Sequence, residues 1–359
     1  MPASLRAAFP VLERYAYLNA GTCGPIARTA AEAATAELRS QAEEGRWTPT
    51  FERMLALQPR QRAAYAERLG ATPDAVALTT STSDGIVRVL AGLDLGPEDE
   101  VITSDEEHPG LLGPLAALHG RSGAHVRTVP FANVADAVGP ATKLVACSHV
   151  SWVGGATAPA ALAEVGREIP VLLDGAQGVG AVPIDLAALG CAFYAGSGQK
   201  WLCGPIGTGL LYVAPEWRDR LRPVGPTYLN LAEPAAGLDA VPHADARRHD
   251  ASALAPDASA FAVAAHAAIA AYGWPEAVDR ATTLAAGLAD ALRERGREVA
   301  PRGRTTLVSW NEEDPKAFTD RAAAAGVVVR DLPGRPLVRA SVGAWNDESD
   351  LERLLALLT

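Results

Sequence analysis

From about residue 75 the chain alternates short apolar, β-branched runs with longer stretches of helical periodicity. That alternation is the pattern of a mainly parallel sheet covered by helices on both faces. It predicts seven strands, at 75–79, 100–103, 125–129, 143–148, 170–174, 191–196 and 209–213, with helices such as 84–92, 110–122 and 159–168 between them. Residues 222–256 break the rhythm. They are rich in Pro, Gly and Ala and have no clear period, which predicts a long functional loop or crossover. Two strong helical segments follow at 257–272 and 275–295. A strand at 305–310, a helix at 315–325, strands at 327–330 and 337–341 and a last helix at 347–358 then predict a smaller α+β unit. No internal repeat is visible.

A length of 359 residues suits two domains of ordinary size. With 48% hydrophobic and 21% charged residues the composition is that of a globular protein. The net charge of −10 argues against nucleic acid or an anionic membrane as partner and toward a small-molecule substrate. The N-terminus has no apolar segment after Arg6, and no apolar run reaches membrane-spanning length, which predicts a cytoplasmic protein. Cys23, Cys147, Cys191 and Cys203 lie far apart without a C-x-x-C, and the seven histidines show no ligand spacing. Neither a disulfide framework nor a metal site is expected.

The candidate chemistry lies in Val171-Leu-Leu-Asp-Gly-Ala-Gln177 and Tyr194-Ala-Gly-Ser-Gly-Gln-Lys-Trp-Leu-Cys-Gly-Pro205. An acid at the end of a buried strand sits at the carboxyl edge of an α/β sheet, where ligands bind. Read alone, Asp174 is a turn or cap residue and Lys200 a solvated lysine. Together, 26 residues apart, they fit pyridoxal 5'-phosphate (PLP). The carboxylate pairs with a protonated pyridine nitrogen, and the lysine holds the cofactor covalently and moves the proton at Cα. Glycines 196, 198, 204 and 207 let the backbone approach a flat cofactor.

With these motifs the chain resembles the class V aminotransferase family of fold-type I PLP enzymes, from Tyr17-Leu-Asn-Ala-Gly-Thr-Cys-Gly-Pro25 to Val338-Arg-Ala-Ser-Val-Gly-Ala-Trp-Asn346. The resemblance implies a large PLP-binding domain over residues 17–244, a small domain from 1–16 and 245–359, and a homodimer. It makes Asp174 the pyridinium partner, Gln177 the contact to the ring hydroxyl and Lys200 the anchoring lysine. Ser197 becomes a phosphate ligand, and Gln199, where relatives often carry His, can still donate from its amide. Thr82 and Ser83, in Leu78-Thr-Thr-Ser-Thr-Ser-Asp-Gly85, align with the family's phosphate-binding pair, at a place where hydroxyls also serve as helix caps. His108, in Ser104-Asp-Glu-Glu-His-Pro-Gly110, matches the catalytic histidine that stacks on the ring. Trp152 stands where many relatives carry Asn. Its indole can wall the pocket, or pack as a buried Trp, but cannot accept a hydrogen bond. In Arg248-His-Asp-Ala-Ser-Ala253, Ser252 lies one place from the family's Thr that reaches the neighbouring subunit's phosphate.

Arg339 aligns with the arginine that grips the substrate α-carboxylate, a bidentate task suited to a guanidinium. Arg330 is a second carboxylate candidate and Asn19 a further substrate-side one; for either arginine the commoner fate is a surface ion pair. The loop between Arg330 and Arg339 is short and lacks the sulfur-accepting cysteine of cysteine desulfurases, while Cys203 reads as packing. The short cysteine-free loop, together with Glu107-His-Pro-Gly110, Trp152, Lys200-Trp201 and Asp174-Gly-Ala-Gln177, is similar to cystine C–S lyases and isopenicillin N epimerase-like members. The resemblance implies a small, sulfur-containing amino-acid substrate, Cα deprotonation by Lys200 and β-elimination. Transamination to a 2-oxo acid shares the first steps and is the alternative. An epimerase needs a second acid on the opposite ring face, and a non-catalytic PLP-binding regulator needs an added DNA-binding domain.

Overall fold

The computed structural model describes residues 5–358. Its strands are β1 (Ala16–Tyr17), β2 (Val76–Thr79), β3 (Glu100–Ser104), β4 (His125–Val129), β5 (Thr142–Ser148), β6 (Val171–Asp174), β7 (Phe193–Ser197), β8 (Gly209–Val213), β9 (Leu307–Asn311), β10 (Val327–Val328), β11 (Arg330–Asp331) and β12 (Leu337–Ser341). Its α-helices are α1 (Arg28–Glu44), α2 (Thr48–Leu69), α3 (Thr82–Gly92), α4 (Pro109–Ser122), α5 (Leu162–Val165), α6 (Leu186–Leu189), α7 (Pro256–Ala270), α8 (Trp274–Glu294), α9 (Pro315–Ala324) and α10 (Glu348–Leu355).

The predicted seven-stranded sheet forms in the order β2-β8-β7-β6-β5-β3-β4. Only β8 runs antiparallel, between β2 and β7. Its central strands are buried on both faces, as parallel strands must be when helices cover each side. Along β6, Val171 and Leu173 join the core that holds Tyr65 and Leu69 of α2, whereas Leu172 faces the core of Ile86 and Val89 of α3 and Leu111 and Leu115 of α4. The period-two alternation of a strand produces this division.

A second sheet, β11-β12-β9, is antiparallel and has its own core with α9, α10 and the second half of α8. The division between the cores falls inside α8. Trp274, Ala277 and Ala281 pack toward the large sheet, and Leu284, Leu288 and Leu292 toward the small one.

Four features depart from expectation. The strand expected over 327–330 divides into β10, paired with β1, and β11, paired with β12. α1 and α2 fill residues where no element was predicted. The helix expected over 159–168 shrinks to α5, flanked by tighter 3-10-type turns in which Leu162 N donates to Pro159 O and Arg167 N to Glu164 O. The helix expected to reach 358 ends at Leu355. The segment 222–256 contains no strand but is pinned at Asp250, which is paired with Arg62 of α2 at 2.7 Å and accepts from the Leu78 amide of β2 at 2.8 Å. No helix among the described residues is long and apolar enough to cross a membrane.

Candidate active site

The carboxyl ends of β2, β3, β5, β6 and β7 converge on a cavity of about 230 Å³. Asp174 ends β6 and is 6% exposed; its side chain takes one hydrogen bond, from the Ala176 amide to Oδ1 at 2.9 Å. Burial raises its carboxyl, and the nearby Lys200 ammonium pulls it part of the way back. Lys200 lies on the loop after β7. The strap 19–25 lies against that loop, since the Gly24 amide donates to Gln199 O at 2.7 Å and a Cβ on Gly24 would sit 2.2 Å from Lys200 O. Burial lowers the Lys200 amine to about 8; Asp174 opposes this, and Arg339 and Arg330 add to it.

At one side stands the N-terminus of α3, capped by Ser81, whose Oγ accepts from the Asp84 amide at 3.1 Å. Thr82 and Ser83 occupy its first turn and face the cavity with Ser197 and Gln199. The Thr82 Oγ1, Ser197 Oγ and Gln199 Oε1 atoms are buried without a partner. Buried hydroxyls without partners beside a helix N-terminus form a site for an anion.

Arg339 on β12 faces Arg330 on β11 across the ladder. It is 1% exposed, donates from Nη1 to Trp152 O at 2.7 Å, and has no partner for Nε or Nη2. Burial lowers its guanidinium to about 9, with Arg330 as the second cause. Arg330 is half-buried and donates to Thr22 Oγ1 at 3.2 Å. His108 caps α4: its Nδ1 accepts from the Gly110 amide at 3.0 Å, so the ring proton is on Nε2. Burial, then the charges of Lys200 and both arginines, lowers His108 to about 4, leaving a neutral imidazole at pH 7. Its ring meets Trp152 edge-on with centroids 5.2 Å apart, and Trp152 Nε1 is buried without a partner. Gln177 is held on both ends, donating to Gly21 O at 2.8 Å and accepting from Trp201 Nε1 at 2.9 Å, with one amide hydrogen to spare.

Eleven expected residues thus line one cavity, while two do not. Asn19 uses its Oδ1 to accept from Thr22 Oγ1 at 2.8 Å, and it is Thr22 that reaches the cavity. Ser252 is exposed on the loop before α7, outside the cavity. Gly21 and Thr22 were not singled out, although both stand in the Tyr17–Pro25 motif. Among the described residues no cluster of His, Cys, Asp or Glu is placed to hold a metal.

The donor set fits PLP: unpartnered hydroxyls at a helix N-terminus for a phosphate, a carboxylate with a free oxygen for a ring nitrogen, and an amine between them. Residues 18–297 match the family model described as aminotransferase class-V. The chain belongs to that family. As a class-V aminotransferase family member it is a PLP-dependent enzyme of fold type I. It is similar to an isopenicillin N epimerase from Amycolatopsis lactamdurans, at 30% identity over 95% of this chain and 94% of that protein. Among solved structures it resembles a mutant of C-DES with glycine covalently linked to the PLP cofactor, at a TM-score of 0.91 and 26% identity over 98% of both chains. It also resembles the complex of the cystine C–S lyase C-DES with its reaction product cysteine persulfide, at a TM-score of 0.89, 26% identity and 98% coverage of both.

Proposed function

We propose that this enzyme holds PLP on Lys200 and releases a β-sulfur leaving group from a small amino acid by elimination. The observation that carries this reading is the absence of a thiol where one would be needed for sulfur transfer to the protein. β11 and β12 are joined by a tight turn, closed by Leu332 N donating to Leu337 O at 2.9 Å, and residues 331–336 contain no cysteine. None of the residues lining the cavity is a cysteine either. Elimination needs only a base, an electron sink and a leaving group.

The bound cofactor supplies the sink for the electron pair left at Cα. Lys200, whose amine is poised near neutrality, takes the Cα proton. Asp174 holds a proton at the ring-nitrogen end, in surroundings where a lone carboxylate would otherwise protonate. Thr82, Ser83, Ser197 and Gln199 bind the phosphate, and Gln177 offers its spare N–H to the ring hydroxyl. Neutral His108 covers the ring face. Arg339 grips the α-carboxylate with the two N–H groups that have no other partner. Arg330, beside it and nearer solvent, suits a second carboxylate, as a cystine-like substrate carries. After the sulfur leaves, water completes the release of pyruvate and ammonia. Ser252 lies exposed outside its own cavity, a position suited to contact with a second copy of the chain.

The test is to incubate the loaded enzyme with cystine, cysteine, a cysteine sulfoxide, and alanine plus a 2-oxo acid, while measuring pyruvate, sulfide and new amino acid. Pyruvate formed without an acceptor is expected. Amino-acid formation that depends on the acceptor, with no pyruvate in its absence, refutes elimination in favour of transamination.

A further inference from the structure

One buried carboxylate lies just behind the cavity wall. Glu107 precedes His108 on the loop between β3 and α4 and is 4% exposed. Its Oε1 accepts from Ser104 Oγ at 2.5 Å and from the Ser148 amide at 3.0 Å, and its Oε2 accepts from Ser148 Oγ at 2.5 Å. Ser104 is the last residue of β3. Ser148 is the last residue of β5 and faces Asp174 across the β5–β6 ladder. A single carboxylate therefore joins two strand ends to the loop that carries His108.

Packing alone would not call for an acid here, because a buried carboxylate is costly and an apolar side chain would fill the space. Its partners are hydroxyls and a peptide N–H, with no cation among them. The titratable groups that act on it are Asp174 of β6 and Cys147 of β5, with Glu106 and His108 beside it in the chain. Burial pushes the Glu107 carboxyl up to about 7; the three hydrogen bonds pull it back and the charge of Asp174 adds to the rise. Both protonation states fit one frame. Ionised, the carboxylate accepts from both serines; protonated on Oε2, it donates to Ser148 Oγ, whose own hydrogen turns away.

We propose that Glu107 is a positioning residue that fixes His108 relative to Asp174, and that its charge reinforces Asp174 in holding a protonated ring nitrogen at the end of β6. This rests on PLP lying in the cavity as described above, but on neither the lyase nor the transaminase reading. A second negative charge favours the protonated cofactor, so removing it lowers the pH at which the cofactor loses its proton.

The test follows the absorption of the loaded protein across the neutral range in the wild type, Glu107→Gln and Ser148→Ala, with PLP dissociation constants for these and Glu107→Ala. In Glu107→Gln, whose amide can still bond both serines, the spectral midpoint is expected to fall by on the order of one pH unit. In Ser148→Ala, which leaves the carboxyl but removes a donor that favours its ionised form, a smaller fall is expected. Glu107→Ala is expected to weaken PLP binding by about tenfold and Glu107→Gln by about threefold at most. Superimposable titrations of the wild type, Glu107→Gln and Ser148→Ala overturn the electrostatic role. Wild-type PLP affinity in Glu107→Ala overturns the positioning role. If Glu107→Gln does not fold, Ser148→Ala decides the electrostatic question alone. Lys200→Ala is the separate control: a cofactor spectrum that ignores it overturns the placement of PLP rather than the role of Glu107.

Discussion

Replacing Arg339 with methionine separates what the guanidinium does for the fold from what it does for the substrate. The group is 1% exposed, makes one hydrogen bond, to Trp152 O, and leaves Nε and Nη2 without partners. A buried, uncompensated ion costs several kcal/mol. Losing it leaves the Trp152 carbonyl unsatisfied, at about 1–2 kcal/mol. The first effect is the larger, and an apolar chain of similar length fills the space, so the apo-protein should gain about 1–3 kcal/mol. The guanidinium pKa falls on folding, to about 9, so its cost to stability is present in full below that value and is relieved only as pH rises through it. A melt at neutral pH therefore sees the whole effect, as a midpoint raised by a few degrees. Catalysis should move the other way. Loss of two charge-assisted hydrogen bonds, at about 1.5–3 kcal/mol each, lowers kcat/KM by about 10²–10⁴, mostly through KM. The assays are thermal unfolding of the apo forms and steady-state pyruvate release. A variant that is less stable than the wild type, with KM unchanged, refutes the reasoning.

The apo-protein should take up PLP at a rate that rises about tenfold per pH unit until about pH 8 and then levels, because only the neutral Lys200 amine can attack the aldehyde; stopped-flow absorbance would show a pH-independent rate if the amine were not the limiting group. Ser197→Ala and Thr82→Ala should each weaken PLP binding by about 5–30-fold while leaving apo-protein stability unchanged or slightly higher, since each hydroxyl is unpartnered before the phosphate arrives; equal affinity in both variants would place the phosphate elsewhere. Gly175→Ala should destabilise the fold by about 3 kcal/mol in urea titration, because its Cβ would lie 2.0 Å from the Tyr194 ring; an unchanged midpoint would contradict that close approach.

The sheet was legible because its central strands are buried on both faces and read as continuous apolar runs; β8 has the predicted bounds, and so does β4, although it is largely exposed. α1 and α2 were not legible. In α1 only Ala30 and Glu37 are buried, so no apolar stripe marks the helix, and α2 carries Pro59 in its interior. The cavity residues were visible through motifs that follow strand ends. What the sequence could not convey is partnership: Asn19 spends its side chain on Thr22, and Gln177 is held between Gly21 and Trp201 before any ligand binds. Glu107 stands inside the Ser104–Gly110 motif, but its role is not legible there, because its three hydrogen bonds join residues up to 41 positions apart.

α8 belongs to both cores, and that has a consequence for how the two halves of the site keep their distance. Lys200 is carried by the large sheet and Arg339 by the small one, and a single helix of 21 residues, about 30 Å long, is embedded in each. The two groups are registered to one another by that shared helix and by a seam of direct contacts, in which Arg339 Nη1 donates to Trp152 O at 2.7 Å and Thr305 Oγ1 to Gly155 O at 2.8 Å. A change in their separation would have to break that seam as well as bend α8 between Ala281 and Leu284, where the two cores meet.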